Sequence, residues 1–365
     1  MAKRARELGF DLPGEPGPFN AITDVEGVLV GYTTLIDDAP AQGDPIRTGV
    51  TAILPRGRHR EPQPVWAGQF SLNGNGEMTG SHWIQDGGYF IGPACITNTH
   101  SVGIVHHAAT RWTIDLYAEA FRQHHLWAMP VVAETYDGAL NDINGQHVRT
   151  EHVFAALDSA AGGAIAEGNV GGGTGMICYE FKGGTGTASR RVELGGHRYT
   201  VGTLVQANHG ERDWFTVLGV PVGREMTEDY MFRKETGSII VVLATDAPLA
   251  SLNLRHLARR ASMGIARHGT PGGNNSGDIF LAFSVADPRP LPQLSGDRLT
   301  FEHLNGEILD PLYLAAVEAV EEAVLNAMLA AQSMTTVRPA GRVCRAIDPV
   351  RLCEILIRHG RLRRV

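Results

Sequence analysis

The chain is 365 residues long, 43% hydrophobic and 19% charged, with a formal net charge of −7. That balance excludes a disordered chain, which needs low hydrophobicity and high net charge, and with no basic stripe interleaved with aromatics, nucleic acid is not expected as a partner. Glycine is the outlier, at 44 residues with no G-X-Y period; outside collagen such an excess marks special backbone conformations or close approach of one backbone to another.

In chain order the sequence predicts an arm over 1–19, a strand over 22–31, a second over 50–54 and a Pro-rich loop over 55–66. A turn-dense stretch over 67–104 is followed by a helix over 105–124, read from apolar residues at Val105, Ala108, Ala109, Trp112, Leu116 and Phe121. A strand over 131–135, a helix over 152–167, and strands over 199–207 and 214–222 come next. The run 238–245 is apolar without interruption and rich in β-branched residues, which marks a buried central strand. A helix over 249–268 follows, with Arg255, Arg259 and Arg260 on its wet side, then a buried strand over 278–285. A long amphipathic helix over 312–332 and a short one over 350–359 complete the chain. Strands arrive in groups rather than alternating with helices. This predicts an α+β layered architecture with helices on the sheet faces, in a single domain spanning 1–365.

No apolar run approaches the ~18 residues of a membrane span. The basic N-terminus lacks the apolar segment of a secretory signal, and the basic run 358–365 reads as a solvated tail. Cysteines at 95, 178, 344 and 353 form no CxxC pair and read as reduced core thiols. A cytoplasmic location is expected.

Four constellations could carry chemistry. The glycine clusters at 168–175 and 183–186 suggest a phosphate loop. They satisfy neither GxxxxGK[ST] nor GxGxxG, and read better as turns packed near a substrate. His100, His106 and His107, with Cys95 and Glu77, lack metal-ligand spacing, so no metal is expected. A GxSxG nucleophile elbow is absent. The fourth is Thr236-Gly237-Ser238 at the mouth of the most apolar strand. A serine there is ordinarily a turn residue. If the Gly237–Ser238 bond broke, however, Ser238 would carry a hydroxyl and a free α-amine, and an amine of pKa ~7.7–8.0 is a usable general base. Gly237 has no side chain to obstruct attack on its carbonyl. Composition and spacing alone do not raise this above the turn reading.

The segments taken together do. "ITDVEGVLVGYTT" (22–34), "NGNGEMTG" (73–80), "ITNTHSVG" (96–103), "AETYDGALNDING" (133–145), "EGNVGGGTGM" (167–176), "FKGGTGTASR" (181–190), "VGTLVQANHG" (201–210), "GVPVGRE" (219–225), "TGSIIVVLATDAPL" (236–249) and "NNSGDIFLAFS" (274–284) resemble the P1-family, DmpA-like L-aminopeptidase/D-esterases and β-peptidyl aminopeptidases. The resemblance implies a four-layer α/β-β/α sandwich of N-terminal-nucleophile-like type. It implies self-cleavage into 1–237 and 238–365, and a serine aminopeptidase acting on short peptides and amino-acid amides and esters without cofactor or metal. A homo-oligomer of the cleaved unit is expected. By motif, Ser238 would be the nucleophile and Gly237 the acyl side of the cleaved bond. Asn208 and Tyr136 would donate to the oxyanion, Glu134 would pair with the substrate ammonium, and Ser276 and Asp278 would orient the nucleophile and its amine. Two rival readings share the fold: an acyltransferase of the ornithine acetyltransferase type, disfavoured by serine in place of threonine, and an uncleaved binding protein.

Overall fold

Successive side chains of a strand point to opposite faces, so a strand with no polar side needs a cover on both. The computed structural model, which describes residues 3–235 and 237–363, supplies both covers for Ser238–Thr245. Ile240, Val242 and Ala244 face one core, and Ile239, Val241 and Leu243 face another. Thr236 of the Thr-Gly-Ser motif and Arg364 and Val365 of the basic tail lie outside the described residues, as do Met1 and Ala2.

In chain order the strands and helices that build the layers are β1 (Leu29–Asp37), β2 (Ile46–Leu54), β3 (Val65–Ser71), α1 (Ser81–Gly87), β4 (Tyr89–Phe90), β5 (Ala94–Asn98), α2 (Val102–Leu116), α3 (Ala118–Gln123), β6 (Val131–Thr135), α4 (Thr150–Ser159), β7 (Ile177–Cys178), β8 (Phe181–Lys182), β9 (Gly184–Leu194), β10 (His197–Asn208), β11 (Ser238–Thr245), α5 (Ser251–Ala266), β12 (Asp278–Ser284), α6 (Asp310–Leu329) and α7 (Pro349–Arg358). One layer sheet has the order β1-β2-β5-β6 and the other β4-β3-β12-β11-β10-β9, while β7 and β8 pair with each other outside both. Their inner faces meet through Val30, Ile53 and Ala133 on one side and Leu204, Ile240 and Leu281 on the other. Helices α2 and α4 cover the outer face of the first sheet with Ala108, Trp112, Val153 and Leu157. Helices α5 and α6 cover the second with Leu254, Leu257, Val320 and Val324. The result is the expected α/β-β/α sandwich. Each fully buried Val, Leu or Ile contributes about 1.5–3 kcal/mol to it.

Several elements depart from the sequence reading. The strand expected over 22–31 begins only at Leu29; Ile22–Asp24 is a 3-10 turn, where Asp24 accepts the N–H groups of Phe19 and Ala21. The helix expected over 105–124 starts at Val102 and divides at Tyr117. The helix expected over 152–167 stops at Ser159, short of Gly162 and Gly163, whose freedom costs a helix about 1 kcal/mol each. No strand forms over 214–222. Two 3-10 turns flank a single bridge there, between Val217 and Val220, because Gly219 and Pro221 break the run. The stretch read as turns over 67–104 holds most of β3, with α1, β4 and β5.

The 183–186 cluster is not a set of turns either, since Gly184 opens the eleven-residue β9. A Cβ on Gly186 would stand 2.0 Å from the carbonyl oxygen of Ala323 in α6, and one on Gly184 2.4 Å from that of Gly168. These glycines let other backbone press onto the strand. Helix α6 is buried on every face from Ala315 to Leu329 instead of being amphipathic. The N-terminal arm packs on it, with Arg6 paired with Glu322 and the Ala5 N–H donating to Asn326, while Arg190 of β9 pairs with the same Glu322. Cys95, Cys178 and Cys344 are buried and unpaired. Among the described residues no helix is long and apolar enough to cross a membrane.

Candidate active site

The register of β11 with its neighbours assembles the site. β10 runs antiparallel to β11 and sets Asn208 opposite Ser238. β12 runs parallel to it and sets Asp278 beside Ile239, so that Ser238 lies against Gly277. The Ser238 hydroxyl donates to the Gly237 carbonyl at 2.8 Å and accepts the Gly277 N–H at 3.0 Å. Gly237 lies flat on the Asn208 carbonyl, 1.7 Å from where a Cβ would be. Among the described residues no carboxylate or imidazole hydrogen-bonds to Ser238 Oγ. His209 follows Asn208 in sequence, but burial pushes its imidazole down to about 3, and Nδ1 faces the Cys178 thiol at 3.7 Å. It is a neutral core group.

The Asn208 amide is locked. Its Oδ1 accepts the Ile177 N–H at 2.7 Å and one Nδ2 proton goes to the Tyr136 carbonyl at 3.1 Å, which leaves the other for the cleft. Tyr136 follows the end of β6 and is 45% exposed. Its hydroxyl overlies Gly138, where a Cβ would come within 2.3 Å of it. Glu134, two residues earlier, is buried. Its carboxylate accepts the Glu77 N–H at 2.9 Å and the Thr99 hydroxyl. Burial raises its pKa above the ordinary carboxylate value, against the pull of those two donors. A cavity of about 510 Å³ joins Glu134, Tyr136, Gly237 and Ser238. A second, of about 290 Å³, shares Tyr136 and Gly237 with it and reaches Asn208, Glu235 and Arg338. The serine therefore stands where two cavities meet, with a carboxylate at one end and amide and phenol donors between.

Ser276 and Asp278 are coupled to each other. The Ser276 hydroxyl donates to Asp278 Oδ1 at 2.5 Å, and burial raises the Asp278 pKa. Neither side chain bonds to Ser238 Oγ; the Gly277 N–H between them does. Asn73 grips Asp278 from both sides, with Nδ2 on Asp278 Oδ2 at 3.0 Å and Oδ1 on the Asp278 N–H at 2.5 Å. Sequence reasoning missed Asn73, Thr99, Gly277 and Glu235. Asn73, Thr99 and Gly277 lie in the 73–80, 96–103 and 274–284 segments that carry the resemblance, whereas Glu235 lies in none of them.

The other constellations dissolve. Among the described residues no three His, Cys, Asp or Glu side chains cluster as a metal would need, and Cys95 is buried in β5 with its thiol pushed up to about 12. The 171–175 glycines form a buried 3-10 turn wedged between the sheets. A Cβ on Gly172 would lie 2.7 Å from the Ile96 carbonyl oxygen, and one on Gly173 2.3 Å from the Thr185 nitrogen. Protein fills the space a phosphate would need, and only Gly175 reaches the smaller cavity.

A four-layer sandwich with a serine at the mouth of its central strand and an amide donor opposite is the architecture of an N-terminal-nucleophile-type hydrolase. Residues 20–341 match peptidase family S58, and the chain belongs to that family. It is 47% identical to a β-peptidyl aminopeptidase BapA of Sphingosinicella microcystinivorans, over 98% of this chain and 93% of that one. Its structure superposes with a TM-score of 0.95 on an L-aminopeptidase D-Ala-esterase/amidase from Ochrobactrum anthropi, described as a prototype serine aminopeptidase and a new variant of the Ntn hydrolase fold. The two are 57% identical over 99% of both chains. A β-aminopeptidase from Burkholderia sp. superposes with a TM-score of 0.88 at 44% identity, over 98% of this chain and 99% of that one.

Proposed function

We propose that the chain is a serine aminopeptidase that cuts its own Gly237–Ser238 bond and then releases N-terminal amino acids from short peptides, amino-acid amides and esters through an acyl-enzyme on Ser238. The observation that carries this is the Ser238 hydroxyl 2.8 Å from the Gly237 carbonyl oxygen, opposite Asn208 and in one cavity with Glu134. The family and the relatives' activities support the same reading. In maturation Ser238 Oγ bonds to the Gly237 carbonyl carbon. The peptide C–N bond breaks, the hydroxyl proton goes to the departing nitrogen, and water splits the resulting ester. Products are a Gly237 carboxylate and a Ser238 bearing hydroxyl and amine. Cleavage thereby creates the base that the uncut site lacks, because a free α-amine of pKa ~7.7–8.0 can take the neighbouring hydroxyl proton.

In turnover Glu134 takes the substrate ammonium, which selects substrates with a free amine. The free Asn208 amide proton and the Tyr136 hydroxyl receive the oxyanion, acting on charge that forms only in the transition state; one such donor contributes about 3–4 kcal/mol. Ser276 and Asp278 hold the new amine. A single catalytic domain spanning 1–365, divided into 1–237 and 238–365, would work in the cytoplasm as a homo-oligomer of the cleaved unit. Intact-mass measurement tests the reading. The wild-type chain should yield both fragments, and Ser238→Ala one uncut chain with no amidase activity. A Ser238→Ala chain that still hydrolyses a small amino-acid p-nitroanilide would overturn it.

A further inference from the structure

The segment just upstream of the Gly237–Ser238 bond is held by a carboxylate that the steps above do not use. Glu235 Oε1 accepts the Gly237 N–H at 3.1 Å and the Gly210 N–H at 3.0 Å; Oε2 accepts the Gly210 N–H at 2.9 Å. The Glu235 N–H donates to Glu211 Oε1 at 2.9 Å. The partners outside its own segment come from residues 210–211, beside the Asn208 carbonyl on which Gly237 lies. That stretch is stiff. Gly210 has φ +90°, with the ring of buried Tyr179 2.3 Å from where a Cβ would be, and the Tyr179 N–H is bonded to the His209 carbonyl at 2.7 Å.

Glu235 is expensive where it stands. Burial, with Asp278 and Glu211 adding to it, pushes its carboxyl up to about 7 against the pull of the Gly237 and Gly210 N–H groups. A half-buried carboxylate with no ion pair among the described residues costs stability. The contact that bears on the scissile bond is the one to Gly237. Gly237 has two soft backbone dihedrals and no side chain to restrict them. The Ser238 hydroxyl fixes its carbonyl oxygen and Glu235 fixes its N–H, so both ends are held and the carbonyl carbon meets Oγ in one orientation.

We propose that Glu235 is a positioning residue for self-cleavage, holding the Gly237 N–H so that the scissile carbonyl stays in line with Ser238 Oγ. The inference rests on the self-processing reading. Glu235 takes no part in the bond changes; its contact is on the far side of the Gly237 Cα from the carbonyl attacked.

The test follows the full chain by intact mass after synthesis, comparing wild type with three substitutions. Glu235→Ala removes the acceptor and should slow cleavage by about 100-fold, the penalty for a loosened near-attack geometry. Glu235→Gln keeps an oxygen at the same reach and should cleave within about fivefold of wild type. Glu235→Asp keeps the charge but withdraws it by one methylene, and should be at least about tenfold slower. This rescue by reach and not by charge is something a merely structural role would not produce. Melting temperatures, measured against uncut Ser238→Ala, check folding; should Glu235→Ala melt early, the Gln and Asp variants still decide. The proposal is overturned if Glu235→Ala keeps pace with wild type, or if Asp cleaves well and Gln as poorly as Ala. If wild type does not cleave, the self-processing reading falls and this inference with it; if wild type cleaves and Glu235→Ala keeps pace, this inference falls alone.

Discussion

Gly237→Ala is the sharpest probe of the scissile bond. The added Cβ would stand 1.7 Å from the Asn208 carbonyl oxygen, 2.7 Å from its carbon and 3.0 Å from the His209 Cα. All three are backbone atoms, at the end of β10 and in the stiff stretch after it, so none can rotate away. Clearing 3.0 Å from the oxygen alone requires a displacement of about 1.3 Å. The Gly237 carbonyl moves with its Cα, and its oxygen is only 2.8 Å from Ser238 Oγ. A misplacement of about 1 Å costs roughly 100-fold in a reaction that depends on near-attack geometry, or about 2.7 kcal/mol of barrier. Freshly synthesised Gly237→Ala should therefore remain at full length for about 100 times as long as wild type in an intact-mass time course. Amidase activity should rise only as fast as the cleaved fraction. Cleavage at the wild-type rate would refute the argument, because the carbonyl would then tolerate a shift that the packing forbids.

Other substitutions separate the remaining roles. Glu134→Gln should raise KM for substrates with a free amine by about 10- to 100-fold, the worth of a hydrogen bond to a charged group, with kcat less affected; initial rates on an amino-acid p-nitroanilide read this out. Because burial raises the Glu134 pKa and ammonium binding needs the anion, the acidic limb of kcat/KM should lie above the ordinary carboxylate range of about 4.3, and Glu134→Gln should move it. Asn208→Ala should lower turnover per mature chain by about 10²–10³, since one oxyanion donor is lost. Asp137→Asn concerns stability. Asp137 is fully buried, its Oδ1 accepts from the Asn141 amide at 3.0 Å, and burial pushes its carboxyl up to about 7 against the pull of nearby Thr48, Asn141 and Asn98. A carboxyl whose pKa is raised on folding contributes stability at low pH that is lost as pH rises from its unfolded value, about 3.9, to its folded one. The variant should be more stable than wild type at pH 8, by on the order of 4 kcal/mol at most, and level with it near pH 4.

The elements most legible in the sequence are those whose signal is local. β6 and β11 lie where the apolar runs put them, and α5, α6 and α7 within two or three residues, because a strand or helix face writes its own period. β9 was invisible because its glycines answer to Ala323 and Gly168, residues far away in sequence. The strand expected over 214–222 failed for the converse reason: its apolar residues Phe215, Val217, Val220 and Val222 are buried, but as turns packed on the core.

Glycine content announced that backbone would meet backbone without saying where. The sequence determined the central apolar strand, the serine at its mouth, and a family resemblance that carried the residues around it. Tertiary structure alone decided that Asn208 faces Ser238, that Asn73 clamps Asp278, that Gly277 serves Oγ with its N–H, and that Glu235 grips Gly237. For Asn208 and Gly277 the physical reason is strand register. Parallel pairing of β11 with β12 and antiparallel pairing with β10 join positions 30 or more residues apart, by backbone groups that every sequence carries and no sequence advertises.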